Sequence, residues 1–342
     1  MKNSGLVIRL GVILTAAISI CTAPPTGYLS HTKAETVTSK INLQLLNKAV
    51  GGQDLRADLK STSLQLATLM IVPSPKLDWP SQRRSSQQEL LDLSLTELRG
   101  GKAALPPVYL NRFPADLTSL NSPQLRKDIF IKTVLPLVLR ANSEVRLERQ
   151  RMLALIQRAQ EISAADDLTP PERAFLARLA AEYEVPETDL AELRQRVDVV
   201  PASLALAQGA EESGWGTSRF ARLGNAVFGQ RTFRKGTGLV PLRREQGQRH
   251  EVKAFNNLYR SVRAYVWNLN THLAYEKFRE KRASFRNGGL PLDGYALTGT
   301  LDRYSERGQN YIRTIRIIIR HNRLDEFDDM RLLLDAGARQ PS

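Results

Sequence analysis

The fold of this chain is decided by the stretch Ala207-Gln208-Gly209-Ala210-Glu211-Glu212-Ser213-Gly214-Trp215-Gly216-Thr217-Ser218-Arg219-Phe220. Its apolar beginning predicts a short helix that ends in two carboxylates and breaks at the glycines beside Trp215. An acid at a helix C-terminus meets the negative end of the macrodipole, which disfavours ionisation and raises the pKa of the acid. A carboxyl group that stays protonated near neutral pH can act as a general acid toward a glycosidic oxygen.

Composition describes a basic globular protein. The chain has 342 residues, which is enough for one large domain or two smaller ones, and 42% of them are hydrophobic. Lys and Arg number 49 against 35 Asp and Glu, a formal charge of +14. Such a surface attracts polyanions, namely nucleic acid, acidic lipids or acidic envelope polymers. The basic residues are spread along the chain without a nucleic-acid-binding motif, so we expect no nucleic acid partner.

Residues 1–34 have the pattern of an export signal. Lys2 and Arg9 flank a short run, and Leu10 to Ile20 form an apolar core that is too short for a comfortable membrane span. We therefore expect either a cleaved signal peptide or an uncleaved N-terminal anchor that associates with the membrane. The expected location is the periplasm or cell envelope. Cys21, the single cysteine, lies in this segment, so no disulfide framework is expected.

The rest of the chain divides into three regions by composition. Residues 35–120 are poorly defined and include a Pro/Ser-rich linker, with one short helix expected from Gln88 to Leu98. Residues 121–325 carry strong helical periodicity, and residues 326–342 form a charged tail. Helix follows helix without strand–helix alternation, which argues against a doubly wound sheet.

Within residues 121–325 the pattern predicts a mainly α fold, formally α+β, with one small β-hairpin. Ser122-Pro123 marks a helix start, Pro136 should kink or interrupt that helix, and a second helix should begin near Ser143. The hairpin is expected between Leu239 and Phe255, with its turn at Gly247. The further helices are expected at 143–162, 169–183 (opened by a Thr169–Glu172 capping box), 190–197, 258–273, 291–301 and 305–321.

Two sequence blocks carry a resemblance to a known family. The first runs from Pro201 through Glu212-Ser213-Gly214-Trp215-Gly216, and the second is Gly224-Asn225-Ala226-Val227-Phe228-Gly229-Gln230. Together they resemble the glucosaminidase domain of glycoside hydrolase family 73, and most closely the Bax-type proteins of Gram-negative bacteria. The resemblance covers roughly residues 120–325. It implies a lysozyme-like helical domain that hydrolyses the β-1,4 bond after N-acetylglucosamine in the glycan strands of peptidoglycan.

The resemblance also proposes the general acid. Helical spacing alone leaves Glu211 and Glu212 open, because adjacent helical positions point about 100° apart and only one can face a cleft squarely. The resemblance selects Glu212, directly before Ser213-Gly214-Trp215. The alternative for Glu211 is a solvated or salt-bridged helix residue.

A second catalytic group is expected on the hairpin. The resemblance favours Glu245, with Glu251 as the alternative, and the 2-acetamido oxygen of the substrate could replace either carboxylate. The residues alone do not choose among the three.

The remaining candidate site residues follow from the resemblance, and core packing is the alternative for each. Tyr311 would line the cleft from a late helix, with Tyr304 as its neighbour seven residues earlier. Trp215 would either exclude water from the acid or anchor the helix end. Asn225, Phe228 and Gly229 would form a loop that borders the substrate.

No cofactor is expected. The four histidines, His31, His250, His272 and His321, lie far apart without the spacing of metal ligands. A non-catalytic glycan-binding or regulatory protein on the same fold is the rival interpretation, since a fold alone does not prove activity.

Overall fold

The computed structural model describes residues 84–99, 105–161, 168–242 and 249–332. The expectations for the leader, for most of residues 35–120 and for Glu245 lie outside these ranges. The described elements, in chain order, are α1 (Arg84–Asp92), α2 (Leu95–Arg99), α3 (Pro123–Glu161), α4 (Pro170–Glu182), α5 (Leu190–Arg196), α6 (Ala202–Ser213), α7 (Arg219–Gly224), β1 (Arg231–Thr232), β2 (Gly238–Leu239), β3 (Glu251–Lys253), α8 (Leu258–Thr271), α9 (Glu276–Asn287), α10 (Gly294–Thr298) and α11 (Gln309–His321). The mainly helical fold with a small antiparallel sheet is confirmed.

The chain forms two compact units. The first unit holds the described residues of 84–151 and 189–332, and the second holds those of 152–188. All candidate site residues that the structure describes belong to the first unit. In the described part of the chain, no helix is both long enough and apolar enough to cross a membrane.

Helix α3 is one continuous helix of 39 residues, so Pro136 does not interrupt it, and the expectation of a second helix that begins near Ser143 was wrong. A proline inside a helix removes one backbone hydrogen bond and crowds the preceding turn. Here the cost is offset by burial, because Val134, Leu135, Leu137 and Val138 are all inaccessible to solvent. Packing on both sides of the proline holds the helix together.

The sheet is larger than the expected hairpin. Strand β2 pairs with β3 as predicted, with Gly238 opposite Lys253 and Leu239 opposite Val252. Strand β1 pairs with the other edge of β3 and places Thr232 opposite Glu251, giving the order β1-β3-β2. Two residues of β1 are too few to show the alternation by which strands are found in a sequence.

Helix α6 lies at the centre of the first unit, and its residues from Ala202 to Ala210 are all buried. It packs against α10, α11 and a 3₁₀ turn at Leu324–Phe327. Asp328 follows that turn and caps the start of α6, where it accepts hydrogen bonds from the Ser203 amide at 2.7 Å and the Ser203 hydroxyl at 2.8 Å. Part of the region expected to be a tail thus fixes the central helix. Burial raises the pKa of Asp328 to about 6.

Helix α9 was missed by the sequence reasoning, because its buried face includes arginines rather than a full apolar stripe. Arg282 is fully buried and donates to Asn270 Oδ1 at 2.7 Å. Its charge lies near buried Asp198, which also accepts from Arg286 at 2.8 Å. These arginines hold the pKa of Asp198 below its ordinary value, although burial alone would raise it. A paired charge can therefore take the place of an apolar residue in this core.

The second unit contains α4 and the end of α3. The predicted capping box is present, and the Thr169 amide donates to Glu172 Oε2 at 2.8 Å. Arg158 pairs with Glu172 at 2.5 Å, and these hydrogen bonds lower the pKa of Glu172 to about 2. A carboxylate in the first turn of a helix is favoured by both the exposed amides and the macrodipole.

Candidate active site

The site is built on the C-terminal end of α6. The helix ends at Ser213 with Gly214 as its C-cap, and Gly214, Trp215 and Gly216 adopt positive φ angles of 57°, 58° and 80°. The Trp215 amide donates to the carbonyl of Ala210 at 2.9 Å, which satisfies an orphan carbonyl of the last turn. Positive φ is costly for a residue as bulky as tryptophan, so the surrounding packing must hold this turn.

Packing around Trp215 explains how the turn is held. Its ring meets the ring of Phe130 edge to face, with centroids 5.5 Å apart, and Lys127 lies 5.2 Å from the ring centroid. The helix end is therefore anchored against α3, as one of the two interpretations of Trp215 predicted. The exposed side of the turn borders an open cavity of about 320 Å³ that is lined by Thr118, Pro123, Arg126, Lys127, Gly214, Trp215 and Thr217. Contact of Trp215 with a substrate stays a prediction.

Glu212 lies in the last turn of α6, and burial raises the pKa of its carboxyl group to about 7. The neighbouring charge of Glu211 raises that pKa further, whereas Arg307 and a hydrogen bond from Tyr311 lower it. Glu211 itself forms an ion pair with Arg307 at 2.5 Å. Glu211 is thus the salt-bridged residue of the pair, and Glu212 is the one placed to hold a proton near neutral pH.

A chain of hydrogen bonds supports the carboxyl group of Glu212. The Tyr265 hydroxyl donates to Gln208 Oε1 at 2.7 Å, and Gln208 Nε2 donates to the Tyr311 hydroxyl at 3.0 Å. Because the Tyr311 oxygen already accepts from Gln208, its own proton is directed to Glu212. Burial raises the pKa of both tyrosines well above the ordinary value, so both remain donors.

The structure gives Tyr311 a definite place. Its side chain is fully buried, contacts Glu212 through its hydroxyl, and stacks on Tyr304 with ring centroids 5.4 Å apart. Tyr311 therefore positions the acid, and any contact with a sugar stays a prediction. Sequence reasoning missed Gln208 and Tyr265. Gln208 carried a usable signal, since it is a polar residue in an apolar helix one turn before Glu212.

The loop after α7 comes close to the acid at one point. Gly229 adopts a φ of 60°, and a Cβ atom built there would lie 3.7 Å from Glu212 Oε2. Phe228 is buried and stacks on Tyr265 with ring centroids 3.9 Å apart. It therefore packs against the first member of the hydrogen-bond chain. Asn225 is buried and donates to the carbonyl of Phe255 at 2.8 Å. Of the three predicted loop residues, Gly229 is thus the one that the structure brings to Glu212.

The carboxylate of Glu251 is engaged by backbone amides. Its oxygens accept from the amides of Gly236 at 3.0 and 3.1 Å and of Gly238 at 2.9 Å, and the residue is buried. These bonds tie the β1–β2 connection to the central strand, which is a structural role. Glu245, the preferred second acid, lies outside the described residues. Among the residues that the structure describes, no cluster of three potential metal ligands is present.

Comparison with known proteins identifies a family for the part of the chain that holds the candidate site. The glucosaminidase family, described as mannosyl-glycoprotein endo-beta-N-acetylglucosaminidase, matches residues 188–324, a range that contains both Glu212 and Tyr311. This family match places the domain in the class of glycan-hydrolase-like domains.

Protein Bax of Escherichia coli (strain K12) is 33% identical to this chain over 202 residues, which cover 57% of the chain and 69% of that protein. The chain therefore belongs to the Bax-type proteins with a glucosaminidase domain. No solved structure matches it.

Proposed function

We propose that this protein is an endo-β-N-acetylglucosaminidase that cleaves the β-1,4 bond after N-acetylglucosamine in peptidoglycan. The observation that carries the proposal is the partly buried Glu212 carboxyl group, whose pKa of about 7 suits proton donation near neutral pH. Membership of a glucosaminidase family supports the substrate class. The proposal extends beyond the family match because that match alone does not establish activity.

Glu212 would act as the general acid. Its proton passes to the glycosidic oxygen while the bond from that oxygen to the anomeric carbon breaks and positive charge develops on the sugar ring. The carboxylate left behind keeps the hydrogen bond from Tyr311, which stabilises the negative charge formed in this step. The same hydrogen bond fixes the orientation of the carboxyl group before the reaction.

The second group in the reaction is Glu245 or the acetamido oxygen of the substrate. Either would attack the anomeric carbon or activate the water that does so. Glu251 is the weaker candidate because both its oxygens already accept backbone hydrogen bonds. Replacement of Glu245 by Gln separates the two routes: loss of turnover supports the carboxylate, and retained turnover supports the acetamido group.

The test is digestion of peptidoglycan by the protein and by its Glu212→Gln variant, followed by reduction and mass spectrometry of the product ends. Reduced N-acetylglucosamine ends from the parent alone would support the proposal. Glu211→Gln is the matched control, since it removes the adjacent carboxylate of the same helix and should retain activity. Reduced N-acetylmuramic acid ends or anhydro ends would contradict the stated bond. Retention of the glycan without any product would favour a binding protein.

We also propose that residues 1–34 direct the protein out of the cytoplasm, on the strength of their basic start and apolar core. N-terminal sequencing of protein isolated from the cell envelope tests this. A start shortly after the apolar core supports a cleaved leader, and an intact Met1 in membranes supports an anchor. Intact protein in the cytoplasm would contradict export.

A further inference from the structure

A surface around one end of the small sheet exposes an unusual set of large apolar side chains. Leu242 is 85% exposed, Leu223 61%, Phe233 58% and Val240 45%. Scattered exposed leucines are ordinary, but a group of exposed apolar residues in one small region marks an interaction surface. We call the region formed by the three-stranded sheet and helix α7 the lobe.

Strand register shows where the chain leaves β1 and β2. Phe233 follows Thr232, which pairs with Glu251, and Val240 follows Leu239, which pairs with Val252. Because β1 and β2 both run antiparallel to β3, Phe233 and Val240 leave the sheet at the same end. Leu242 lies two residues beyond Val240.

Helix α7 brings the fourth residue to the same lobe. Arg219 of α7 donates to the carbonyl of Val240 at 3.1 Å. A Cβ atom built on Gly224, which directly follows Leu223, would lie 3.0 Å from a methyl group of Leu239. We call the surface formed by Leu223, Phe233, Val240 and Leu242 the apolar rim.

Positive charge surrounds the apolar rim. Exposed cations lie on the same segments of the chain: Arg219 and Arg222 precede Leu223, Arg234 and Lys235 follow Phe233, and Arg249 precedes β3. From Gly214 to Arg260 the sequence contains ten Lys or Arg residues and two acids, Glu245 and Glu251. Glu251 is buried against backbone amides, so its carboxylate does not interrupt the basic surface.

We propose that the apolar rim and its cations bind the surface of an anionic lipid bilayer. Phenylalanine and leucine side chains enter the boundary between head groups and acyl chains, while arginine and lysine contact lipid phosphates. A soluble acidic polymer would use the cations and leave the apolar side chains in water, so the combination favours lipid. The proposal does not depend on the glycosidase activity.

Bilayer binding through this lobe has a consequence for the site. The lobe continues directly from the loop of Gly229, which lies beside Glu212. Docking would therefore hold the acid near the membrane surface, where glycan close to the bilayer is within reach.

The test uses a fluorescent probe at the rim. Cys21 is the chain's only cysteine, so a Cys21→Ser background with Leu242→Cys accepts one environment-sensitive label. Leu273→Cys in the same background is the control, because Leu273 is 75% exposed and lies two residues beyond the C-terminal end of α8, outside the group of Leu223, Phe233, Val240 and Leu242. A local probe separates lobe binding from any insertion of residues 1–34.

Vesicles of phosphatidylcholine with about one third phosphatidylglycerol should shift the emission of the label at position 242 to the blue. The label at position 273 should not respond, and pure phosphatidylcholine vesicles should affect neither label. Arg234→Gln with Lys235→Gln should weaken the binding about 25-fold, at about fivefold for each cation lost near an anionic surface. Phe233→Ser should weaken it without changing its dependence on salt.

Two outcomes would overturn the proposal. An unchanged emission at position 242 in anionic vesicles would show that the rim does not enter the bilayer. A response only to a soluble acidic polymer, such as purified wall glycan, would show that the lobe binds polymer rather than lipid. Glycosidase activity measured on soluble glycan fragments should be the same for the rim variants and the parent, which keeps this proposal separate from the catalytic one.

Discussion

The Glu212→Gln variant should be inactive, and its stability relative to the parent should increase as the pH rises. The pKa of Glu212 is raised from its ordinary value of 4.5 to about 7 in the folded protein. The folded state therefore binds this proton more tightly than the unfolded state does, and the resulting stability is fully present below about pH 4.5. It is lost as pH rises through about 7.

The size of the effect follows from the same values. The difference between 4.5 and about 7 corresponds to about 3 kcal/mol of unfolding free energy, at about 1.4 kcal/mol for each tenfold change in proton affinity. The parent bears this cost when Glu212 ionises, and the uncharged amide of the variant does not. The difference in unfolding free energy, variant minus parent, should thus increase by about 3 kcal/mol between pH 4 and pH 8.5.

The assay is urea unfolding of both proteins at several pH values in that range. All other titrating groups, including Asp328, are common to the two proteins and cancel in the difference. Glu306→Gln is the control, since it removes an exposed acid and reports the general effect of losing one carboxylate from the protein. A flat difference for Glu212→Gln would refute the argument that burial keeps this carboxyl group protonated, whatever the variant does to activity.

Three further results are expected. Glu211→Gln should move the alkaline limb of the pH–activity profile to lower pH and Arg307→Gln should move it to higher pH, because these charges act in opposite directions on the acid; shifts of the same sign would contradict this. Tyr311→Phe should raise the pKa of the acid and lower the unfolding free energy by about 1–3 kcal/mol, since it removes a donor to the carboxylate and a buried acceptor; an unchanged pH profile would show that the hydroxyl does not act on the acid. Asp198→Ala should lower the unfolding free energy by about 3–5 kcal/mol, because it leaves the fully buried charge of Arg282 without its anion; a loss below about 1 kcal/mol in urea unfolding would count against that pairing.

Local signals identified most of the elements correctly. Apolar periodicity and capping residues located helices α4, α5, α8 and α11, because these signals act within a few residues of the chain. The Glu-Ser-Gly-Trp-Gly block marked the end of α6, where three successive residues with positive φ do stop the helix. The same reasoning failed at Pro136 and at α9, where packing and buried ion pairs override the local preference.

The candidate site, like the fold, was predicted from local sequence signals only in part. A sequence can suggest an acid at a helix end and can favour Glu212 through resemblance, but it cannot show which groups surround the carboxyl. Gln208 and Tyr311 are 103 residues apart, and Tyr265 is 57 residues from Gln208, yet the three form one hydrogen-bond chain. No spacing rule relates positions so distant, because their contact depends on how whole helices pack.

The sequence by itself determined the helical class, the end of the central helix and the pair of carboxylates at that end. These follow from backbone preferences and from the period of apolar residues, which are properties of neighbouring residues. Only the tertiary structure decided that Glu212 lies partly buried beside Tyr311, that Glu211 pairs with Arg307, and that Asp328 caps the central helix. Burial and long-range partners set the pKa of a carboxyl group, and both exist only after the chain has folded.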